Sequence, residues 1–533
     1  MYKHAFAAAF ITSILFALGF FVPYVGEALV LVGFAPLLIY LSKEQWSYKK
    51  SFFFFFFSGV LFFGITLIWM FSLLPLEWAG VESASIAYAL FVSAWLLVVC
   101  SFALWWGVFG AGVAYLSIWM GSHSWNLKIL YALSIAGLWV LCEYARSFVI
   151  GFWGFASGSS SFFSEWTLGS LVYGMTDGWV VLLASVGGIY LVNLVIIISN
   201  VLVFLWWSTA STKKKRVFGG AVILAGVMGV ASLGGVFFVK WHERANRSAR
   251  SYEVVAMRTD IPRAFVYAQS DRAASLRASI GHVVALPQAI DILVAPEDGD
   301  MLSFDALNGM RLIDRMKKNN TLLVDHVYTR QANGVESRTL YWRPDGGIVG
   351  FQGKHILMPI GEYVPLFVGS ILSLLGYQHA VGTYEDARAL AVAEKGPPVT
   401  DVRGTYASIV CSEASNPNMV RSLGKNGADV IFLQASDTLF RGNYLYARYM
   451  ISMARVRAIE SGRFVVRASN AGPTAIIDSV GHVRALRAGG SEGVAGQVPF
   501  LHIVTPYARW GAWPVPLAGV LLALGLLYRR YPQ

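Results

Sequence analysis

The chain has 533 residues, 56% hydrophobic and 14% aromatic, with only 14% charged, whereas soluble domains average about 25% charged. That shortfall excludes a chain that is soluble throughout. The formal charge of +11 calls for no nucleic-acid partner, because Lys and Arg collect at the ends of apolar runs, where the positive-inside rule expects them.

Runs long enough to cross a hydrocarbon core are predicted at 5–23, 27–42, 51–74, 85–117, 128–149, 177–207 and 217–239, with an eighth near 512–528. The first has a basic head, "MYKH", in the manner of a signal peptide, but further apolar spans follow at once, so it is expected to be retained. The two strongest basic loops, "SKEQWSYKK" (42–50) and "STASTKKKR" (208–216), should both be cytoplasmic. An even number of crossings must separate them, so 85–117 is read as one long or tilted helix rather than two. Span seven then leads outward, 241–505 lies outside, and both termini are cytoplasmic. The basic segment "KWHERANRSAR" opposes the charge rule there, but long domains translocate largely regardless of charge. The expected division is 1–240 membrane domain, 241–505 soluble domain, 506–533 last helix and tail.

Span four holds Cys100 and span five Cys142, small fillers of membrane helices. Glu143 and Arg146, near the end of span five, are either a structural pair or a lipid headgroup contact.

Past 241 the charges become frequent and apolar strands alternate with helical patterns. "YEVVAMR", "AIDILVAPE", "NTLLVDHVYT", "YASIVC", "ADVIFLQAS" and "RFVVRAS" read as buried strands. "AQSDRAASLRASIGHVVAL", "SFDALNGMRLIDRMKKN" and "NYLYARYMISMARVRAIESG" read as helices. "TLYWRPDGGIVGFQG" reads as a hairpin turning at Asp345-Gly346-Gly347. This is an α/β domain with a sheet core, and no internal repeat is visible.

Cys411 ends one of these strands and is the only cysteine of its domain, so it has no disulfide partner there. It is either a buried core thiol or a nucleophile. A helix start at "SEASNPNMVRSLG" would favour its thiolate, and a nucleophile needs a base and an oxyanion partner as well. Of the histidines before it in the domain (His242, His282, His326, His355 and His379), none has an obvious catalytic context. Glu297 does, just past a strand, where α/β sites are built. Lys354 and Glu362 also do, because a charge in the apolar loop "GKHILMPIGEYVPL" must find partners. The apolar stretch "YVPLFVGSILSLLGY" (363–377) is either a core helix or an arm touching the membrane. No Cys/His cluster has metal-ligand spacing, and no glycine-rich phosphate loop appears.

Glu297, Lys354 and Cys411, in "APE", "K…GEYVP" and "C-x-E", resemble the catalytic triad of the nitrilase (carbon-nitrogen hydrolase) superfamily. With eight spans around the domain, the chain resembles that superfamily's apolipoprotein N-acyltransferase family over nearly its whole length. "CEYARSFVIGFWG", "DIPRAFVY", "MARVRAIESGR" and "RASNAGPTAIID" carry the likeness further. It departs at Ala295, where the family has Trp, at Ser412 (Tyr), at Tyr267 (Trp), and in the lid sequence, here Ser436-Asp437-Thr438-Leu439-Phe440-Arg441. The resemblance implies an α-β-β-α sandwich outside a membrane bundle. It also implies acyl transfer from a phospholipid, through a Cys411 thioester, to the α-amino group of a diacylglyceryl-modified apolipoprotein. Glu362, Glu413 and Ser412 would support the site, and Tyr267, Tyr363, Leu439, Phe440, Glu143 and Arg146 would meet lipid. Further implications are a monomer in a bacterial inner membrane with a periplasmic catalytic domain, without cofactor or metal. A membrane-anchored amidase acting on a small amide, and a non-catalytic transporter or scaffold, are the other readings.

Overall fold

The computed structural model describes residues 2–530 apart from 45–46, 80, 118–124, 157–162, 262–268, 287–288, 303–305, 375, 380, 383–388 and 491. Seven described helices are long and apolar enough to cross a membrane: Lys3–Phe21, Val25–Lys43, Tyr48–Thr66, Ala84–Leu116, Trp125–Trp153, Val180–Thr209 and Val217–Ser248. Ala84–Leu116 runs unbroken for 33 residues, the one long helix expected over 85–117. The last of the seven carries past the expected boundary at 240 to Ser248, and the first strand opens at Ser251. The apolar helix expected near 512–528 is Pro514–Arg530, at 17 residues shorter than the others. It packs along Trp125–Arg146, where Ser134 Oγ donates to Leu521 O at 3.0 Å.

Some of these helices are interrupted, and two of the breaks show their compensation. Between Val25–Val30 and Ala35–Lys43, Asn200 accepts from Phe34 N at 2.6 Å and donates to Val30 O at 3.0 Å. Backbone freed inside an apolar bundle needs such a partner. The second break is at Gly187-Gly188. Gly188 has φ +65°, and a Cβ there would stand 2.4 Å from the Tyr507 ring, so both conformation and space call for glycine.

The α/β domain is built on two sheets. One runs, in spatial order, Val494–Pro499, Ser251–Ala256, Ile292–Val294, Leu322–Gln331, Gly334–Trp342, Ile348–Gly353. The other runs Val483–Arg487, Thr474–Ile477, Phe464–Asn470, Val430–Ser436, Thr405–Val410, Val399–Thr400. The hairpin turns at Asp345-Gly346-Gly347 as expected, with Arg343 N donating to Gly347 O at 2.6 Å. Strand alternation makes the layers. Val430 and Phe432 meet Val254, Val294 and Val324 of the other sheet between the two, while Ile431 and Leu433 face outward. Both faces are buried, which is why these strands read as continuous apolar runs.

On the outer face of the first sheet, helices Gln269–Ala285 and Ala306–Asn319 supply Leu276, Ile280, Leu312 and Met316. On the outer face of the second lie Pro417–Lys425 and Tyr444–Ser461. The layers are therefore helix, sheet, sheet, helix. Asn416 and Asn443 cap these two helices through Met419 N and Tyr446 N. The hydrophobic cluster under the second pair continues without a gap into the membrane bundle. Polar ties cross the same boundary: Thr167 Oγ1 donates to Ser415 O at 2.7 Å, Gly169 N to Tyr449 OH at 2.6 Å, and Arg455 Nη1 to Asp177 Oδ1 at 2.5 Å.

Candidate active site

Cys411 stands where strand Thr405–Val410 gives way to a 3-10 turn, Cys411–Ser415. Its φ is +47°, a left-handed value that non-glycine residues rarely adopt and that needs support from its surroundings. Glu413 supplies that support. Its Oε2 accepts Val410 N at 2.9 Å and its Oε1 accepts His355 N at 2.8 Å. The residue before the thiol and the residue after Lys354 are thus tied to one carboxylate. Ser412 adds a second tie, donating to Ile356 O at 2.8 Å.

Lys354 leaves the end of strand Ile348–Gly353 fully buried. Its Nζ donates to Glu297 Oε1 at 3.0 Å and to Glu362 Oε1 at 2.5 Å. Glu297 is held on its other oxygen by Ser436 N at 2.9 Å, and Glu362 by Met358 N at 2.8 Å. An ammonium between two carboxylates, all hydrogen-bonded, meets the condition under which buried charges persist. Burial works against the charge of Lys354, but Glu297, Glu362 and Cys411 together hold its affinity for the proton well above the ordinary lysine range. Burial raises Glu362 despite Lys354.

Burial also pushes the Cys411 thiol above its ordinary range, reinforced by Glu297 and opposed by Lys354. The helix expected within "SEASNPNMVRSLG" does begin there, but it does not bring the thiol down. The α-helix begins only at Pro417, and desolvation outweighs what the short turn offers. The sulfur is half-buried and in electrostatic reach of the Glu297 carboxylate.

The lid sequence meets the site through Asp437, which also raises the thiol. Its carboxylate accepts from Arg467 Nη2 at 2.6 Å, Ser469 Oγ at 2.7 Å and Tyr446 OH at 2.6 Å. Leu439 and Phe440 sit in the following turn, Thr438–Phe440. Phe440 stacks on Tyr446 at 4.1 Å and meets Trp69 of the membrane part at 5.3 Å.

The other expected contacts fall elsewhere. Glu143 and Arg146 are buried inside the helical bundle, doubly hydrogen-bonded to each other at 2.8 and 2.9 Å. Arg146 also lies over the rings of Phe63 and Phe102. This is the structural pair, not a headgroup contact, because burial leaves no open face for lipid. Tyr267 lies outside the described residues. Tyr363 roots the arm, its hydroxyl donating to Gly154 O at 2.5 Å. The arm helix Leu366–Leu374 has no buried residue. It is seated on the turn after span five by Leu366 N to Phe155 O at 2.9 Å and by Phe367 against Trp153 at 5.3 Å.

Two participants escaped the sequence reading. Lys395 donates to Glu413 Oε2 at 2.6 Å, and nothing in "AEKGPP" signals that partner. Arg467, which pairs with Asp437, did leave a signal, since a charge inside the apolar strand "RFVVRAS" must be partnered.

Two family models match the chain: the apolipoprotein N-acyltransferase N-terminal domain over residues 12–202 and carbon-nitrogen hydrolase over residues 288–495. The chain is similar to the apolipoprotein N-acyltransferase of Gloeobacter violaceus, at 26% identity over 530 residues, covering 97% of this chain and 92% of that protein. The like-named protein of Pseudomonas paraeruginosa is 27% identical over 441 residues, covering 79% of this chain and 80% of that one. Among solved structures, a variant of the Nesterenkonia AN1 amidase from the nitrilase superfamily aligns at TM-score 0.35 and 14% identity, covering 51% of this chain and 97% of that one.

Proposed function

We infer that this chain, a member of the apolipoprotein N-acyltransferase family, moves an acyl group from a phospholipid to the α-amino group of a diacylglyceryl-modified N-terminal cysteine. The observation that carries the chemistry is Lys354 Nζ, held 3.0 Å from Glu297 and 2.5 Å from Glu362, with the adjoining backbone stapled to the Cys411 turn by Glu413. The arrangement supplies a base, a fixed cation and a thiol in one desolvated place.

In the first half-reaction Glu297 takes the thiol proton as sulfur attacks the ester carbonyl. Lys354 and a backbone N–H near Ser412 stabilise the oxyanion. The C–O bond breaks, the leaving oxygen takes the proton from Glu297, and a lysophospholipid departs from the Cys411 thioester. In the second half-reaction the amine attacks the thioester and Glu297 accepts its proton. The C–S bond breaks, the sulfur recovers the proton, and an amide is released. Glu362 keeps Lys354 in place, and Glu413 keeps Lys354 and Cys411 in register.

The membrane frame suits substrates confined to a bilayer. Helix Pro514–Arg530 serves as an eighth crossing, near the short end of the spanning range. Both termini are then cytoplasmic and the catalytic domain, residues 241–505 with the helix overlap to Ser248, is periplasmic in a bacterial inner membrane. The chain acts as a monomer. The arm, with Leu366, Ile371 and Leu374 exposed, reaches into the outer leaflet, and Leu439 and Phe440 shape the acyl path. An amidase acting on a small polar amide would need neither arm nor bundle.

The test is mass spectrometry of the purified full chain incubated with phospholipid. A hydroxylamine-labile acyl group on Cys411, absent from Cys411→Ala, is the expected result. A folded wild-type protein that never acquires it overturns the mechanism.

A further inference from the structure

Strand Leu322–Gln331 buries two polar residues completely, Asp325 and His326. Groups of this kind are retained only with partners, and here the partners belong to the loop that follows Glu297 and to the strand residue that pairs with Lys354. Asp325 Oδ2 accepts Met301 N at 2.7 Å, and Oδ1 accepts His326 N at 2.9 Å. His326 O accepts Asp300 N at 2.9 Å. His326 Nδ1 lies 3.2 Å from Asp298 N. A nitrogen facing an N–H must be the acceptor, so the neutral ring carries its proton on Nε2 and donates it to Ser337 Oγ at 2.7 Å. Ser337 O in turn accepts Lys354 N at 2.8 Å.

The loop needs this hold. Asp298 has φ +68° and Asp300 φ +47°, two non-glycine residues in the left-handed region, and such conformations persist only where the surroundings fix them. The fit is close: a Cβ on Gly299 would come 2.5 Å from Asp325 Oδ1. We propose that His326, backed by Asp325, is a positioning residue for acyl transfer, its ring joining the backbone beside Glu297 to the backbone beside Lys354 and so setting where base and cation stand relative to Cys411. His326 itself touches no reacting atom. Burial keeps the ring neutral, pushing its proton affinity down to about 4. Asp298, Lys354, Glu362 and Asp300 are the charged groups acting on it, and Tyr328 lies edge-on at 5.0 Å.

The inference rests on the acyl-transfer reading, and the experiment separates the two. The full chain in detergent micelles is given phosphatidylethanolamine with an alkyne-tagged acyl chain. The rate of Cys411 acylation is followed against lipid concentration and pH, beside the melting midpoint, for wild type, Ser337→Ala, His326→Ala and His326→Asn. Ser337→Ala removes only the acceptor of the ring N–H and spares the fold. Expected is a loss of about tenfold to a hundredfold in maximal rate for Ser337→Ala and His326→Ala, with the half-saturating lipid concentration unchanged. The pH profile of the rate should move as well, and His326→Asn should recover part of the rate by offering an acceptor to Asp298 N. Wild-type rates and an unmoved pH profile in Ser337→Ala overturn the positioning role, as does a loss in His326→Ala that only follows its melting midpoint. Absence of acylation in the wild-type arm overturns the acyl-transfer reading, and the positioning role with it.

Discussion

Glu460 completes a membrane helix that the chain itself leaves open: its Oε1 accepts the Ile189 N–H at 3.1 Å, one residue past the Gly187-Gly188 break. A helix restarting after a break has N–H groups without intrahelical acceptors. The catalytic domain supplies one from its helix Tyr444–Ser461, and Arg457 Nε, 3.2 Å from Glu460 Oε2, balances the charge. Glu460→Ala should cost about 3–5 kcal/mol, the price of leaving Arg457 buried and unpaired, while Glu460→Gln, which keeps the acceptor, should cost less. Thermal unfolding of the detergent-solubilised chain and protease susceptibility of the catalytic domain measure both.

The same boundary should respond to pH. Burial pushes Glu460 and Glu165 up to about 7 from 4.5. Glu165 is lined by Tyr190 OH at 3.1 Å and Asn418 Nδ2 at 2.7 Å. A carboxyl raised in the folded state binds more protons there than in the unfolded chain between these two values. Stability contributed by this pair is therefore present at low pH and is lost as pH rises through about 7. The wild-type melting midpoint should fall relative to a Glu165→Gln, Glu460→Gln double variant between pH 5 and 8. A difference that grows in the opposite sense contradicts the assignment.

Cys411 should be slow to alkylate at neutral pH, because burial and Glu297 both hold its thiol up. Iodoacetamide labelling of that residue should still be rising at pH 9. Glu297→Gln removes a negative neighbour and should shift the labelling curve to lower pH while abolishing acyl transfer, two effects of one change. Lys354→Met should shift the curve the other way.

Among the described residues, Lys395 is tied to the site through Glu413. Lys395→Met leaves a fully buried carboxylate without its cation and should destabilise the domain by about 3 kcal/mol. It should slow acylation as the Cys411 turn loosens. Lys395→Arg should retain most of both, and a wild-type melting midpoint in Lys395→Met would remove Lys395 from the network.

The arm can be tested apart from stability. Leu374 is 87% exposed and Ile371 47%, so Ile371→Ser and Leu374→Ser should leave the melting midpoint unchanged. Transfer from phospholipid in vesicles should drop, with transfer from a short-chain soluble ester spared. Equal loss on both substrates would mean that the arm shapes the site rather than reaching lipid.

Much of this protein is a local property of its chain. Apolar length marked the seven helices long enough to cross a membrane, loop charge argued for reading Ala84–Leu116 as a single helix, and runs of Val and Ile announced strands that are buried on both faces. Cys411, Glu297 and Lys354 stood out because a lone thiol and charges in apolar surroundings need a chemical reason. What folding decided were the partners, since hydrogen bonds between residues 57 or 139 apart leave no periodic trace. Glu143 and Arg146 could have faced lipid or each other, and only the bundle buried them as a pair. His326 had no visible context, because its partners are the backbone of Asp298 and the hydroxyl of Ser337. The thiol looked activated by a helix start, yet desolvation, which depends on everything packed around it, pushes it above its ordinary range.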